Sequence, residues 1–184
     1  IKTVSGSDLM RLVAEDLGRQ VYEKPVGFKH IASEMLSRPV LIGGEESGGI
    51  GFGGHLPERD ALFVCLLVLE ALTESGQTLG ERIDALQRRF GVSHYERIDL
   101  RLRNLSVRKR LESFLESTPP QKVADETVKN VIKTDGIKLR LGNMYWLMFR
   151  FSGTEPLLRI YCEAPNKEQV DKVLRWAKNL AEKL

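Results

Sequence analysis

Pro39-Val40-Leu41-Ile42-Gly43-Gly44-Glu45-Glu46-Ser47-Gly48-Gly49-Ile50-Gly51-Phe52-Gly53-Gly54-His55 runs from an apolar segment straight into a glycine-dense loop with paired carboxylates. A short apolar run bounded by turn residues reads as a buried strand. From about Glu58 to Ser75 the spacing predicts a helix, apolar from Ala61 to Leu72 and stopped by Gly76, and its composition makes it a buried one. Upstream, Ser7 or Asp8 can cap a helix that carries Leu9, Leu12, Val13 and Leu17 and ends at Gly18. A short strand is expected at Gln20 to Tyr22 and a second helix from Gly27 to Leu36. Downstream, Thr78-Leu79-Gly80-Glu81 has the spacing of a capping box and starts a helix towards Phe90. Helices alternating with brief apolar strands argue for a parallel sheet covered by helices.

Between Gly91 and His94 the pattern switches to period two, at Ile98, Leu100 and Leu102. We place a domain boundary there, with residues 1–91 forming part of an α/β domain and residues 92–184 a smaller α+β domain. The second is expected to run as strand, helix Leu105 to Leu115, a break at Pro119-Pro120, then strands 127–134, 137–141 and 144–149. Asp135-Gly136 and Gly142-Asn143 are turn dipeptides, which makes those three strands a meander. A strand from Leu157 to Glu163 and a terminal helix with Val170, Val173, Leu174, Ala177 and Leu180 on one face complete it. The fold class is therefore α/β followed by α+β, the second sheet mostly antiparallel with packed helices.

Two loops carry chemistry. In Arg150-Phe151-Ser152-Gly153-Thr154-Glu155-Pro156, a glycine and small hydroxyl residues let backbone N–H groups approach an anion, and Arg150 adds a planar fork of donors suited to phosphate oxygens. An ordinary surface turn is the alternative reading. In the glycine run the carboxylates want hydroxyl donors, and a sugar ring supplies vicinal ones. A flexible linker would ordinarily be Gly/Ser-rich without paired carboxylates.

In this order the loops resemble those of the α-D-phosphohexomutases, the phosphoglucomutase and phosphomannomutase family. The resemblance covers nearly the whole chain, through Lys24-Pro25-Val26-Gly27-Phe28-Lys29, Gly44-Glu45-Glu46-Ser47-Gly48-Gly49, and Arg150 to Pro156 followed by Leu157-Leu158-Arg159-Ile160-Tyr161. It implies movement of a phosphoryl group between C1 and C6 of a hexose, through a hexose 1,6-bisphosphate and a phosphoserine. It implies Glu45 and Ser47 as ligands of the sugar hydroxyls, with Glu46 turned away to support the loop. Arg150, Ser152, Gly153 and Thr154 would grip the phosphate that is not being transferred. Lys29 is a further candidate against the plainer reading of a surface lysine, and Arg159 either reaches the phosphate or braces the loop by pairing with Glu155 or Glu163. His30 is expected to be a packed or capping residue.

The family's serine nucleophile loop and aspartate-rich Mg²⁺ loop do not occur in these 184 residues. Phosphoryl transfer needs a positioned nucleophile and a cation, so we expect no catalytic residue and no metal ligand in this chain, which would bind without turning over. Mg²⁺, the nucleophile and the remaining domains would come from an N-terminal part of the same enzyme. Glu45-Glu46-Ser47-Gly48-Gly49 resembles the glucose and mannose branches more than the glucosamine one, and between those two glucose phosphate is expected over mannose phosphate. A stand-alone sugar-phosphate binding module is the alternative.

Apolar content of 42% and charge of 29% suit a folded core, and the longest apolar stretch falls short of the about 20 residues that span a bilayer. The three histidines lack metal-ligand spacing. A net charge of +3 does not call for nucleic acid, and the basic run Arg101, Arg103, Arg108, Lys109, Arg110 has no interleaved aromatics to stack bases. Cys65 and Cys162 are expected to be reduced core residues in a cytoplasmic protein.

Overall fold

The computed structural model describes residues 1–152 and 155–183 and divides into two compact units, Ile1–Val92 and Ser93–Leu184. In the first, β1 (Lys2–Thr3), β2 (Glu23–Lys24), β3 (Ile42–Gly44) and β4 (Ile50–Phe52) form a sheet in the order β2-β1-β3-β4. β1 is parallel to β2 and β3, and β4 returns antiparallel on β3. The helices are α1 (Leu9–Asp16), α2 (Phe28–Ser37), α3 (Ala61–Ser75) and α4 (Leu79–Phe90). The capping box forms as its spacing predicts, with the Glu81 N–H donating to Thr78 Oγ1 and the Thr78 N–H donating to Glu81 Oε2. Asp60 caps α3, and the N–H of Phe63, then His55, holds its carboxyl below the ordinary aspartate pKa.

Two expectations change here. The strand expected at residues 40–42 begins only at Ile42 and runs into the glycines, leaving Leu41 66% and Ile42 42% exposed. Bare backbone is what lets β3 lie close beneath α2: a Cβ on Gly43 would collide with Ile31 Cγ2. The apolar helix expected to be buried is α3, yet none of its residues is buried, and Leu62, Leu66 and Leu69 are 80%, 65% and 59% exposed. Cys65 is accordingly exposed rather than in a core. Composition shows that a helix wants cover, but not whether that cover lies in the same chain. Val4, Phe28 and Ile31 are the buried apolar side chains of this unit among the described residues.

The second unit contains β5 (His94–Arg101), α5 (Leu105–Ser117), β6 (Lys122–Val123), β7 (Glu126–Thr127), β8 (Asn130–Ile132), β9 (Ile137–Gly142), β10 (Tyr145–Phe151), β11 (Leu157–Ala164) and α6 (Lys167–Lys183). Its main sheet is antiparallel throughout, in the order β5-β11-β10-β9-β8. The single strand expected over residues 127–134 is split. β6 and β7 close a small hairpin around Ala124, at φ 51°, before β8 joins the main sheet. At the turn before β9, Gly136 sits at φ 88°, and an added Cβ would collide with the Phe149 carbonyl oxygen.

Successive strand residues face opposite sides. Leu139, Leu147, Phe149, Leu158, Ile160 and Cys162 pack with Leu111 and Leu115 of α5 and Val170, Val173 and Ala177 of α6 in one apolar core. Burial pushes the Cys162 thiol far up. No single helix among the described residues is long and apolar enough to cross a membrane.

Leu147 is fully buried and Leu66 is not, so urea unfolding should separate them. Leu147→Ala is expected to cost about 2–5 kcal/mol, and Leu66→Ala to stay within about 0.5 kcal/mol. Burial raises the Tyr145 phenol from 10.0 to about 12, with Glu126 contributing next. Its folded-state pKa therefore lies above the unfolded one. Its contribution is complete below pH 10 and is lost as pH climbs towards about 12. Thermal melts across that window should show a decline that Tyr145→Phe reduces.

Candidate functional site

In the first unit the candidate sugar ligands sit on the turn between β3 and β4. The Glu45 N–H donates to the Gly49 carbonyl at 2.9 Å, and the Gly48 N–H donates to the Glu45 carbonyl at 3.1 Å, closing the turn. The two adjacent carboxylates go to different anchors. Glu45, only 8% exposed, accepts from the Gly27 N–H at the head of α2 through Oε1 at 3.0 Å. Its Oε2 lies 3.9 Å from Arg59 Nη1, and that guanidinium also stands 5.5 Å from the centre of the Phe28 ring. Glu46 Oε2 accepts from Ser5 Oγ at 2.6 Å and Thr3 Oγ1 at 3.4 Å, the supporting role expected of it. Ser47 stands exposed at the tip.

Lys29 is exposed on the first turn of α2 and makes no ion pair or hydrogen bond among the described residues; His30 beside it is half-buried. The Gly27 N–H to Glu45 bond brings the head of α2 onto the sugar loop, so both segments quoted for the resemblance converge there. Sequence reading missed the polar floor next to it. Lys2, 1% exposed, donates to the Gly6 carbonyl at 3.0 Å and pairs with Glu23 at 2.8 Å and Asp8 at 3.7 Å. A lysine in a two-residue strand before Thr-Val-Ser carries no local pattern to mark it. Arg59 was likewise visible in sequence only as the residue before a helix cap.

In the second unit, register places Arg150 of β10 opposite Arg159 of β11, and Arg159 opposite Asp99 of β5. Arg150 Nε donates to Asp135 Oδ2 at 2.8 Å. Burial opposes the charged form of Arg150, but the hydrogen bond and charge of Asp135, with Tyr161, outweigh it and hold the guanidinium above the ordinary arginine pKa. Arg159 stands 3.9 Å from Asp99, and its buried Nε meets no acceptor among the described residues. It pairs with neither Glu155 nor Glu163 in any described bond. The result is a row of charges, Asp99, Arg159, Arg150 and Asp135, in which the two arginines are adjacent and Asp99 is shared with Arg97, its nearer partner at 3.0 Å.

The candidate phosphate loop joins β10 to β11 beside the two arginines. The Ser152 N–H donates to the Leu157 carbonyl at 2.9 Å, and Ser152 Oγ accepts from the Glu155 N–H at 3.3 Å. Gly153 and Thr154 lie outside the described residues. Further along the same sheet face, Glu163 accepts from Trp146 Nε1 at 2.6 Å and Ser93 Oγ at 3.0 Å, while Lys138 Nζ sits 4.0 Å from the Trp146 ring centre. No group of three or more His, Cys, Asp or Glu side chains suited to a metal gathers among the described residues.

Residues 1–90 match the family model described as phosphoglucomutase/phosphomannomutase alpha/beta/alpha domain III, and residues 79–176 match that family's C-terminal domain. The chain belongs to the phosphoglucomutase/phosphomannomutase family. It is 28% identical over 182 residues to a phosphoglucomutase/phosphomannomutase of Thermococcus kodakarensis, covering 99% of this chain and 37% of that one. It is 30% identical to a phosphoglucomutase of Komagataeibacter xylinus, covering 89% of this chain and 32% of the other. The crystal structure of a presumed phosphomannomutase from Thermus thermophilus superposes with a TM-score of 0.79 at 34% identity, over 98% of this chain and 36% of that one. The chain thus spans about a third of the length of the relatives it matches.

The Ser5 to Glu46 contact should behave as a coupled pair. Ser5→Ala and Glu46→Ala are each expected to cost about 1 kcal/mol in urea unfolding, and the double variant little more than either alone. Fully additive costs would show that the hydrogen bond contributes nothing.

Proposed function

We propose that this chain is the substrate-gripping part of a phosphohexomutase that interconverts hexose 1-phosphate and hexose 6-phosphate, glucose being the preferred sugar. The observation that carries the reading is the pair of guanidinium groups at the foot of the Ser152 loop. Like charges facing each other across strands are unfavourable on their own. Asp135 and Asp99 offset one side of each cation, and a phosphate dianion set against their remaining N–H donors would satisfy the rest. Arg150, Arg159 and Ser152, with Gly153 and Thr154 of the same loop, then hold the phosphate that is not being transferred.

Glu45 and Ser47 take the ring hydroxyls. A carboxylate has about four acceptor positions, so the Gly27 N–H and Arg59 leave Glu45 capacity for sugar O–H donors. Vicinal hydroxyls present nearly the same pattern when a hexose bisphosphate turns end for end, which lets one loop serve both orientations. Lys29, exposed and without an ion pair among the described residues, would follow the phosphate or a hydroxyl through that turn. The serine that exchanges the phosphoryl group belongs, in this reading, to polypeptide outside this chain. So does Mg²⁺, which would offset charge on the transferring group, because the aspartate-rich loop of the family does not occur in these 184 residues.

Titration calorimetry with glucose 1,6-bisphosphate tests the assignment. Arg150→Ala and Arg159→Ala are each expected to weaken binding about ten- to a hundredfold, the worth of a lost charge-assisted hydrogen bond. Glu45→Gln should weaken glucose 1,6-bisphosphate but leave inorganic phosphate binding unchanged. Wild-type affinity in both arginine variants, with the fold intact by circular dichroism, would sink the phosphate site.

A further inference from the structure

We propose that Asp135 is a positioning residue of the phosphate site: it holds the Arg150 guanidinium in place for the ligand, so that anion binding depends on a carboxylate whose own charge opposes it. The inference rests on the reading of Arg150 and Arg159 as phosphate ligands. Arg150 sits on β10, and Asp135 lies in the turn between β8 and β9.

That turn has little freedom to place the carboxylate elsewhere. Ile137 pairs with Phe149 in the β9–β10 ladder, which brings Asp135, just ahead of the strand, alongside Arg150. Gly136 lies between them at φ 88°, and its lack of a Cβ lets the turn pack directly on the Phe149 carbonyl and the Arg150 Cα. The Asp135 carboxylate then accepts from Arg150 Nε at 2.8 Å, with the two side chains 25% and 19% exposed. This bond uses the guanidinium donor nearest the chain, and it orients the plane that carries the terminal donors. Tyr161, buried and diagonal to Arg150 on the same sheet face, also favours the charged guanidinium.

Charge alone predicts the opposite role for Asp135. A carboxylate beside a cation that meets phosphate repels the dianion. Asp99, across the arginine pair, shows a carboxylate there without the bond. It stands 3.9 Å from Arg159 Nε, too far for a hydrogen bond, and its nearer partner is Arg97 at 3.0 Å. Removing Asp99 should therefore strengthen phosphate binding. Removing Asp135 should weaken it, because an arginine released to sample its rotamers must be ordered again at each binding event.

Titration calorimetry with glucose 1,6-bisphosphate, on variants checked for fold by circular dichroism, separates these roles. Asp135→Ala is expected to bind about three- to tenfold more weakly than the unsubstituted chain, the worth of one immobilised side chain. Asp135→Asn keeps an acceptor without the charge and is expected to bind as tightly or more so. Asp99→Ala is expected to gain affinity. In an Arg150→Ala background, Asp135→Ala should cost nothing further. Undiminished binding by Asp135→Ala overturns the proposal, and so does an Asp135→Asn variant as weak as Asp135→Ala. A loss that persists in the Arg150→Ala background overturns it too, leaving Asp135 a turn residue only, as does an equal loss in Asp99→Ala. If Arg150→Ala itself binds normally, the phosphate reading fails and this role with it. If Arg150→Ala weakens binding and Asp135→Ala does not, the positioning role alone fails.

Discussion

The antiparallel register of β10 on β11 is the constraint from which the second unit follows. Pairing Trp146 with Glu163, Met148 with Tyr161 and Arg150 with Arg159 sends these side chains to one face, and leaves Leu147, Phe149, Leu158, Ile160 and Cys162 to the helices. A slip of one residue would turn Glu163 into the aliphatic core. An uncompensated buried charge costs several kcal/mol, so the alternative register is strongly disfavoured. The hydrogen bonds of Glu163 to Trp146 and Ser93 reinforce the choice, because no shifted pairing keeps them.

The same register explains how two arginines can stand side by side. Apart from their neighbours they would repel, yet each has a carboxylate on its outer flank, Asp135 for Arg150 and Asp99 for Arg159. The flanking is unequal. Arg150 is hydrogen-bonded at 2.8 Å, whereas Arg159 is 3.9 Å from Asp99 and its buried Nε has no acceptor among the described residues. Arg150 is thus held in position by Asp135, and Arg159 is the less fully compensated of the two cations. Preorganisation of that kind lowers the ordering cost of binding.

Much of this was legible in the sequence, and the gaps have physical reasons. The capping box at Thr78, the glycine stop at Gly76 and the turn at Asp135-Gly136 are local devices whose residues lie within a few positions of one another, and they formed as read, whereas the next turn falls one residue later than expected, at Asn143-Met144. The strands beside the glycine loop were misplaced because pairing with β4 and close approach of α2 decided their limits, and both are tertiary. The loops carrying Glu45 and Arg150 were legible as motifs, whereas Asp135, Asp99, Ser5 and Arg59 were not. Each of those acts on a loop distant in sequence or separated by a strand, so no spacing announces it. The exposure of α3 could not be read at all: its composition signals a need for cover and is silent about what supplies it.

That exposure bears on the sugar loop directly. The first unit buries few apolar side chains, so Glu45 and Glu46 are held chiefly by single polar contacts, each worth about 1 kcal/mol net where water competes. Two further ties come from the start of α3: the Asp60 N–H donates to the Ile50 carbonyl at 3.3 Å, and Arg59 lies beside Glu45. Asp60 also caps α3. Whatever fixes α3 therefore fixes the residues that brace the loop, and whatever lets α3 shift loosens them.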